Sequence, residues 1–177
     1  SAVPLFAILG IAAPEHTPVA VLDDIVSGFV EAGREHGAEL AGGDLCRADK
    51  LMLSVTLFGD APFPGPTLRS GARPGDTIWV TGTLGDSSLG LELLLSLGSL
   101  SSIDDIEDRS IKELVLRHLD PAPRLGIGAR LAGLAASMMD LSDGVAEDLP
   151  RLLARSGGLG AKVDVNALSL SDALQKS

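Results

Sequence analysis

Between residues 60 and 76 the chain carries four prolines, Pro62, Pro64, Pro66 and Pro74, and three glycines, Gly65, Gly71 and Gly75. Proline fixes φ and has no N–H to donate, so neither a helix nor an inner strand can run through such a stretch. Whatever lies on either side must build its own structure. A lobe boundary is therefore expected here, with residues 1–62 in one lobe and 63–177 in the other. The 177 residues, 45% of them hydrophobic, suffice for one large domain or two small ones.

In the first lobe, residues 5–12 are almost wholly apolar and short, which fits a buried strand and does not by itself exclude a helix. Pro14 ends that run. Thr17 then reads as a helix N-cap with Pro18 at the first helical position, followed at helical spacing by Leu22, Ile25, Val26, Phe29 and Val30 until Gly37. Residues 38–41 form a brief apolar piece leading into Gly42-Gly43-Asp44, read as a glycine-permitted loop that presents Asp44. Residues 51–57 alternate well enough for a half-buried strand.

In the second lobe, Arg73-Pro74-Gly75-Asp76 is a turn feeding an expected strand at 77–81. The strand ends in Gly82-Thr83-Leu84-Gly85-Asp86, and a helix follows with Leu91, Leu94 and Leu95 at i, i+3 and i+4. The turn is either a phosphate cradle, although it lacks the lysine of a P-loop, or a tight connection capped by Asp86. Asp104, Asp105, Glu107 and Asp108 read as a solvated loop and helix start, since acids favour a first turn, and Ile111, Leu114, Val115 and Leu119 continue that helix. Pro121 and Pro123 open another helix, carrying Arg124 and Arg130. A glycine stop at residues 157–160 precedes a short expected strand at 162–165.

The chemistry concentrates in Met139-Asp140-Leu141-Ser142-Asp143-Gly144. Apolar residues from Leu134 run into it, and a helical stripe of Val145, Leu149, Leu152 and Leu153 runs out of it, so a strand-to-helix turn carrying two carboxylates is expected. Open α/β sheets place ligands at the carboxyl ends of their strands. Asp140, Asp143 and the Ser142 hydroxyl are hard oxygen groups of the kind Mg²⁺ takes; alternatively, Ser142 or Asp143 simply caps the helix.

A net charge of -10, from 24 acids against 14 bases with no basic run, argues against nucleic acid or an anionic membrane as partner. A phosphate ligand would need cations to mediate. No apolar run approaches a membrane span, and the lone Cys46 cannot form an internal disulfide, so a cytoplasmic location is the expectation. The three histidines, His16, His36 and His118, have no metal-ligand spacing and are expected at the surface or at helix ends.

Three segments in order resemble the thiamine-monophosphate kinase family: residues 40–44, residues 68–86 and residues 139–144. That family belongs to a superfamily with aminoimidazole ribonucleotide synthetase and selenophosphate synthetase. The resemblance implies an α/β (α+β), two-lobed fold whose first lobe forms a homodimer through its sheet. It also implies Mg²⁺ ligation by Asp44, Asp140 and Asp143, and contact with ATP by Gly43, Asp44, Arg69 and Ser142. The implied reaction passes the terminal phosphoryl of ATP to thiamine monophosphate with no covalent nucleophile. Another ATP-dependent enzyme of the superfamily, or a non-catalytic Mg²⁺- and nucleotide-binding fragment, are the alternatives.

The chain departs from the family pattern at Leu45 and Cys46, where threonine usually continues the glycine-glycine-aspartate segment. The family's N-terminal acidic cluster and later substrate-pocket segment have no counterpart. The chain also opens at Ser1 without methionine and stops at Ser177, so a fold incomplete at both ends, poorly active alone, is expected.

Overall fold

The computed structural model describes residues 2–61, 63, 65–98 and 102–176. Pro62 and Pro64 of the connector, and the terminal Ser1 and Ser177, lie outside the described residues. The chain divides into two compact units, Ser1–Thr67 with Leu125–Ala135, and Leu68–Arg124 with Ala136–Ser177.

The first unit is built on a three-stranded sheet in the order β2-β1-β3, with β1 Val3–Ala13, β2 Glu39–Arg47 and β3 Met52–Asp60. Helix α1, Val19–His36, carries the chain from β1 back to a parallel β2, because parallel neighbours need a crossover. The pleat of β1 sends Ala7, Leu9, Ile11 and Ala13 to one face, where they are buried. Leu22, Ile25, Val26 and Phe29 of α1, with Leu40, pack against that row, as the helical spacing requires. Gly37 ends α1 in the left-handed conformation, its N–H bonded to the Arg34 carbonyl.

Three expectations are corrected in this unit. Pro18, not Thr17, is the N-cap residue of α1, and no side chain caps that end. Gly42-Gly43-Asp44 is not a loop: β2 runs straight through it, with a register shift where Ala7 pairs with Leu40 and Ile8 with Gly42. A β-bulge absorbs the extra residue, and the glycines serve that irregularity. At Gly43 a Cβ would lie 1.9 Å from the Leu9 carbonyl oxygen, so only glycine lets the two backbones approach. The third concerns β3, which is exposed along its whole length and not half-buried, because the helix packs over the β1 row and Leu40. On the sheet face away from α1, Phe6 and Phe58 stack with centroids 4.7 Å apart.

The second unit is helical among its described residues. Helix α2, Asp86–Leu97, packs on α3, Arg109–Leu119, through Gly90, where a Cβ would stand 2.0 Å from the Leu114 carbonyl oxygen. Leu114 and Val115 are 0% exposed, and Ala173 of the short helix α6, Asp172–Lys176, is buried as well. Asp108 caps α3 by accepting from the N–H groups of Ser110 and Ile111, as the acidic segment suggested. Helix α4, Leu125–Arg130, follows the two prolines but falls within the first unit. Helix α5 spans Val145–Arg155.

The strands expected at 77–81, before Asp140, and at 162–165 do not form; residues 165–167 are instead a short 3-10 turn. A strand requires ladder pairing at successive residues; among the described residues the segment before Asp140 makes a single such bond, Met138 N–H to the Leu68 carbonyl at 2.9 Å, and Leu84 N–H meets the Ser169 carbonyl at 3.0 Å beyond the ends of the other two segments. Trp79, in the middle of the expected strand, is 87% exposed. Nor does Asp86 cap α2. It is buried, and it accepts hydrogen bonds from the Thr83 hydroxyl at 2.5 Å and the Ser171 hydroxyl at 2.7 Å, tying the glycine turn to the segment before α6.

Candidate functional site

The loop at residues 139–144 enters α5 at Gly144, whose φ of 102° puts it in a conformation that side-chain-bearing residues avoid. Neither Ser142 nor Asp143 caps the helix; Gly144 is the N-cap residue and has no side chain to offer. The capping work is done from inside the helix. Asp148, in the first turn of α5 and 1% exposed, turns its carboxylate back under the loop. Its Oδ2 accepts the backbone N–H groups of Ser142 at 2.8 Å, Asp143 at 2.9 Å and Gly144 at 3.2 Å. Its Oδ1 accepts from Nη1 of Arg151 at 3.0 Å. Burial opposes ionisation of Asp148 more than any single contact favours it, but the three N–H groups and Arg151 together prevail and lower its pKa.

The same Nη1 of Arg151 donates to Oδ2 of Asp143 in a short contact, so one guanidinium bridges the buried carboxylate and the exposed one. The Asp143 bond and charge raise the pKa of Arg151, Asp148 adds to the shift, and burial works against it. Glu147 lies 3.9 Å away on the other nitrogen.

Arg69 reaches the other end of the loop, its Nη2 donating to Oδ1 of Asp140 at 3.4 Å across 71 sequence positions. The backbone brings it there. Leu68 accepts from Met138 N–H, the Ser156 hydroxyl at the end of α5 donates to the Arg69 carbonyl, and that hydroxyl accepts the Ala72 N–H. At Gly71 a Cβ would stand 2.5 Å from the Ala136 carbonyl oxygen, so the two segments approach as closely as glycine permits. The ion pair itself is exposed, 57% and 73% for the two side chains, and at most about 1 kcal/mol is expected from such a pair.

Arg69, Asp140, Ser142 and Asp143 thus gather in the second unit, whereas Gly43 and Asp44 lie on β2 of the first. Asp44 pairs in register with Gly10, on the sheet face opposite the Leu9 and Ile11 row. Asp148 and Arg151 escaped the sequence reading. A signal for them existed: Val145, Asp148 and Leu152 fall on one helical face, and a carboxylate on an apolar stripe demands buried partners.

Among the described residues no group of three or more His, Cys, Asp or Glu side chains could hold a metal ion as a protein cage. The donors in the loop, two exposed carboxylates three residues apart, suit a Mg²⁺ ion that takes one or two carboxylates and fills its remaining positions with phosphate oxygens and water.

Residues 1–61 match the model of the AIR synthase related protein N-terminal domain, and residues 73–177 match that of its C-terminal domain. The chain belongs to the AIR synthase-related family. Among its curated relatives are the thiamine-monophosphate kinases of Salmonella typhimurium, 41% identical over 78% of this chain and 40% of that protein, and of Corynebacterium glutamicum, 38% identical over 95% and 49%. The AIR synthase-related fold is equally plain in solved structures. The thiamine-monophosphate kinase of Stenotrophomonas maltophilia superposes with a TM-score of 0.88 at 35% identity, covering 99% of this chain and 54% of that one. AaThiL complexed with AMPPCP and TMP gives 0.85 at 31%, covering 99% and 54%. The chain spans about half the length of these relatives, or less. As expected from the sequence, the fold is a mixed helix and strand arrangement of this family.

Proposed function

We propose that the protein of which this chain is part transfers the terminal phosphoryl group of ATP to thiamine monophosphate, giving thiamine diphosphate and ADP. The observation that carries the reading is the meeting of Arg69 with the Asp140–Asp143 loop, a cation-ready carboxylate pair beside a guanidinium brought from 71 positions away. Identity to named thiamine-monophosphate kinases, and the AMPPCP and TMP bound by AaThiL, support the choice of substrates.

In this reading a phosphate oxygen of thiamine monophosphate attacks the terminal phosphorus of ATP, and the bond to ADP breaks. The acceptor is already an anion, so no side chain need serve as nucleophile. Asp140 and Asp143 of the loop would hold Mg²⁺, which neutralises the crowded phosphate charges when bound, and Asp44, on the first unit's sheet, is proposed as a Mg²⁺ ligand in its own right. Arg69 clamps phosphate oxygens with its planar fork. The backbone N–H of Ser142 is committed to Asp148, so Ser142 would meet the nucleotide through its hydroxyl. Gly43, whose missing side chain serves the close approach of β2 to Leu9, would meet ATP through its backbone.

The reading includes a homodimer formed through the first unit's sheet; Phe6, Phe58, Met52 and Leu57 leave that sheet rich in exposed apolar surface. It also includes a cytoplasmic location; no helix among the described residues is long and apolar enough to cross a membrane. Residues 1–62 and 63–177 would supply the two lobes. The test is incubation of the full-length gene product with ATP, Mg²⁺ and thiamine monophosphate, with both products quantified. Stoichiometric thiamine diphosphate and ADP are expected; ADP without thiamine diphosphate would reassign the acceptor.

A further inference from the structure

Each carboxylate of the loop already has a cation. Arg69 sits on Asp140 and Arg151 on Asp143, but the two arginines differ in what else holds them. Among the described residues Arg69 pairs with one carboxylate, at 3.4 Å. Arg151 is shared between exposed Asp143 and buried Asp148, on a helix adjoining the loop, with Glu147 one turn before it. If Asp143 were taken from it, Arg151 would keep Asp148.

We propose that Arg151 is the resident counter-cation of Asp143, and that a divalent cation binds the loop by exchanging for it while Asp148 keeps both the arginine and the loop in place. The inference rests on the reading of Asp140 and Asp143 as cation ligands. Two positive charges cannot share one exposed carboxylate without repulsion, so cation binding and the Arg151–Asp143 contact compete. The competition leaves the loop's shape unaffected, because the three N–H groups that fix it donate to the Asp148 carboxylate and not to the carboxylate of Asp143. The arrangement relieves the metal-free loop of uncompensated carboxylates, and the cost is weaker cation binding. Arg151 is thus a positioning residue whose removal strengthens the cation's hold.

The test titrates the protein with Mg²⁺ alone and reads the rise in unfolding temperature, with the dissociation constant taken from its concentration dependence. Arg151→Gln should bind Mg²⁺ about three- to tenfold more tightly than wild type, the scale of one charge-assisted contact removed from competition. Arg155→Gln, one turn further along α5, removes the same charge without the contact and should shift affinity less than twofold. Arg151→Lys, which keeps the charge but has no fork to bridge two carboxylates, should fall between wild type and the glutamine variant. Asp143→Asn separates the levels of the argument. If Mg²⁺ stabilises Asp143→Asn as much as wild type, the cation-site reading fails. If Asp143→Asn abolishes the effect while Arg151→Gln binds no tighter than wild type, or no tighter than Arg155→Gln, that reading stands and the exchange is overturned.

Discussion

The two halves of the molecule place their proposed ligands by opposite means. On β2, Asp44 is held by a ladder: residues from Gly42 to Arg47 pair in continuous register with β1, so backbone bonds spread along the strand set its position. At the start of α5, Asp143 is held by one residue, because the loop's N–H groups converge on the Asp148 carboxylate. Distributed backbone pairing tolerates side-chain change and is vulnerable where backbones touch. A loop built around one buried carboxylate is indifferent to most of its own side chains and fails at that one.

The sharpest break in this comparison is Asp148→Ala. It leaves three part-buried backbone N–H groups without their acceptor and removes the buried anchor of Arg151, so the unfolding temperature should fall by roughly 5–10 °C, read by thermal denaturation. An unchanged melting temperature would mean that the loop is held by something other than Asp148.

The counterpart in the sheet is Gly43→Ala. Its Cβ would fall within the Leu9 carbonyl, and the strands must part or slip, at a cost of about 1–3 kcal/mol in chemical denaturation. Were that variant as stable as wild type, the close approach of β1 and β2 at the bulge would be refuted.

Acid should distinguish the halves more gently. Because the folded protein holds Asp148 below its ordinary value, its contribution to stability is fully present above about pH 4 and drains away as pH falls through the lowered folded pKa. The difference in unfolding temperature between wild type and Asp148→Asn should therefore be constant above about pH 5 and narrow below pH 4. A gap that widens on acidification would reverse the sign and contradict the assignment.

Smallest of all should be the effects of Asp44→Ala and Arg69→Ala on the fold. Asp44 is exposed on a laddered strand and Arg69 lies in an exposed pair, so each change should move stability by no more than about 0.5–1 kcal/mol. Under the proposed function both would weaken ATP binding, Arg69→Ala by about 1.5–3 kcal/mol in calorimetric titration with Mg²⁺-ATP. Intact ATP affinity in Arg69→Ala would take that residue out of the nucleotide site.

Much of the local structure was legible in the residues themselves. The apolar run of β1, the helical stripe and glycine stop of α1, and the acidic cap of α3 depend on neighbours within a few positions, and each appears where its pattern puts it. The strands at 77–81 and 162–165 were misread because extended apolar segments become strands only beside a partner, and their sequences carry no record of one. Gly42-Gly43 was misread for a related reason: a glycine pair that looks like a loop serves equally well where two backbones touch.

The sequence by itself determined the identities and spacing of the chemically capable groups: Asp140, Ser142 and Asp143 in one turn, Arg69 in the connector, Asp44 after two glycines. Their charge and hydrogen-bonding capacity are properties of the residue, independent of fold. Only the tertiary structure decided that Arg69 meets Asp140, that Asp148 and not Ser142 or Asp143 satisfies the open N–H groups at the start of α5, and that Arg151 stands between a buried carboxylate and an exposed one. Those outcomes depend on which groups lose water together, and burial is a property of the packed chain.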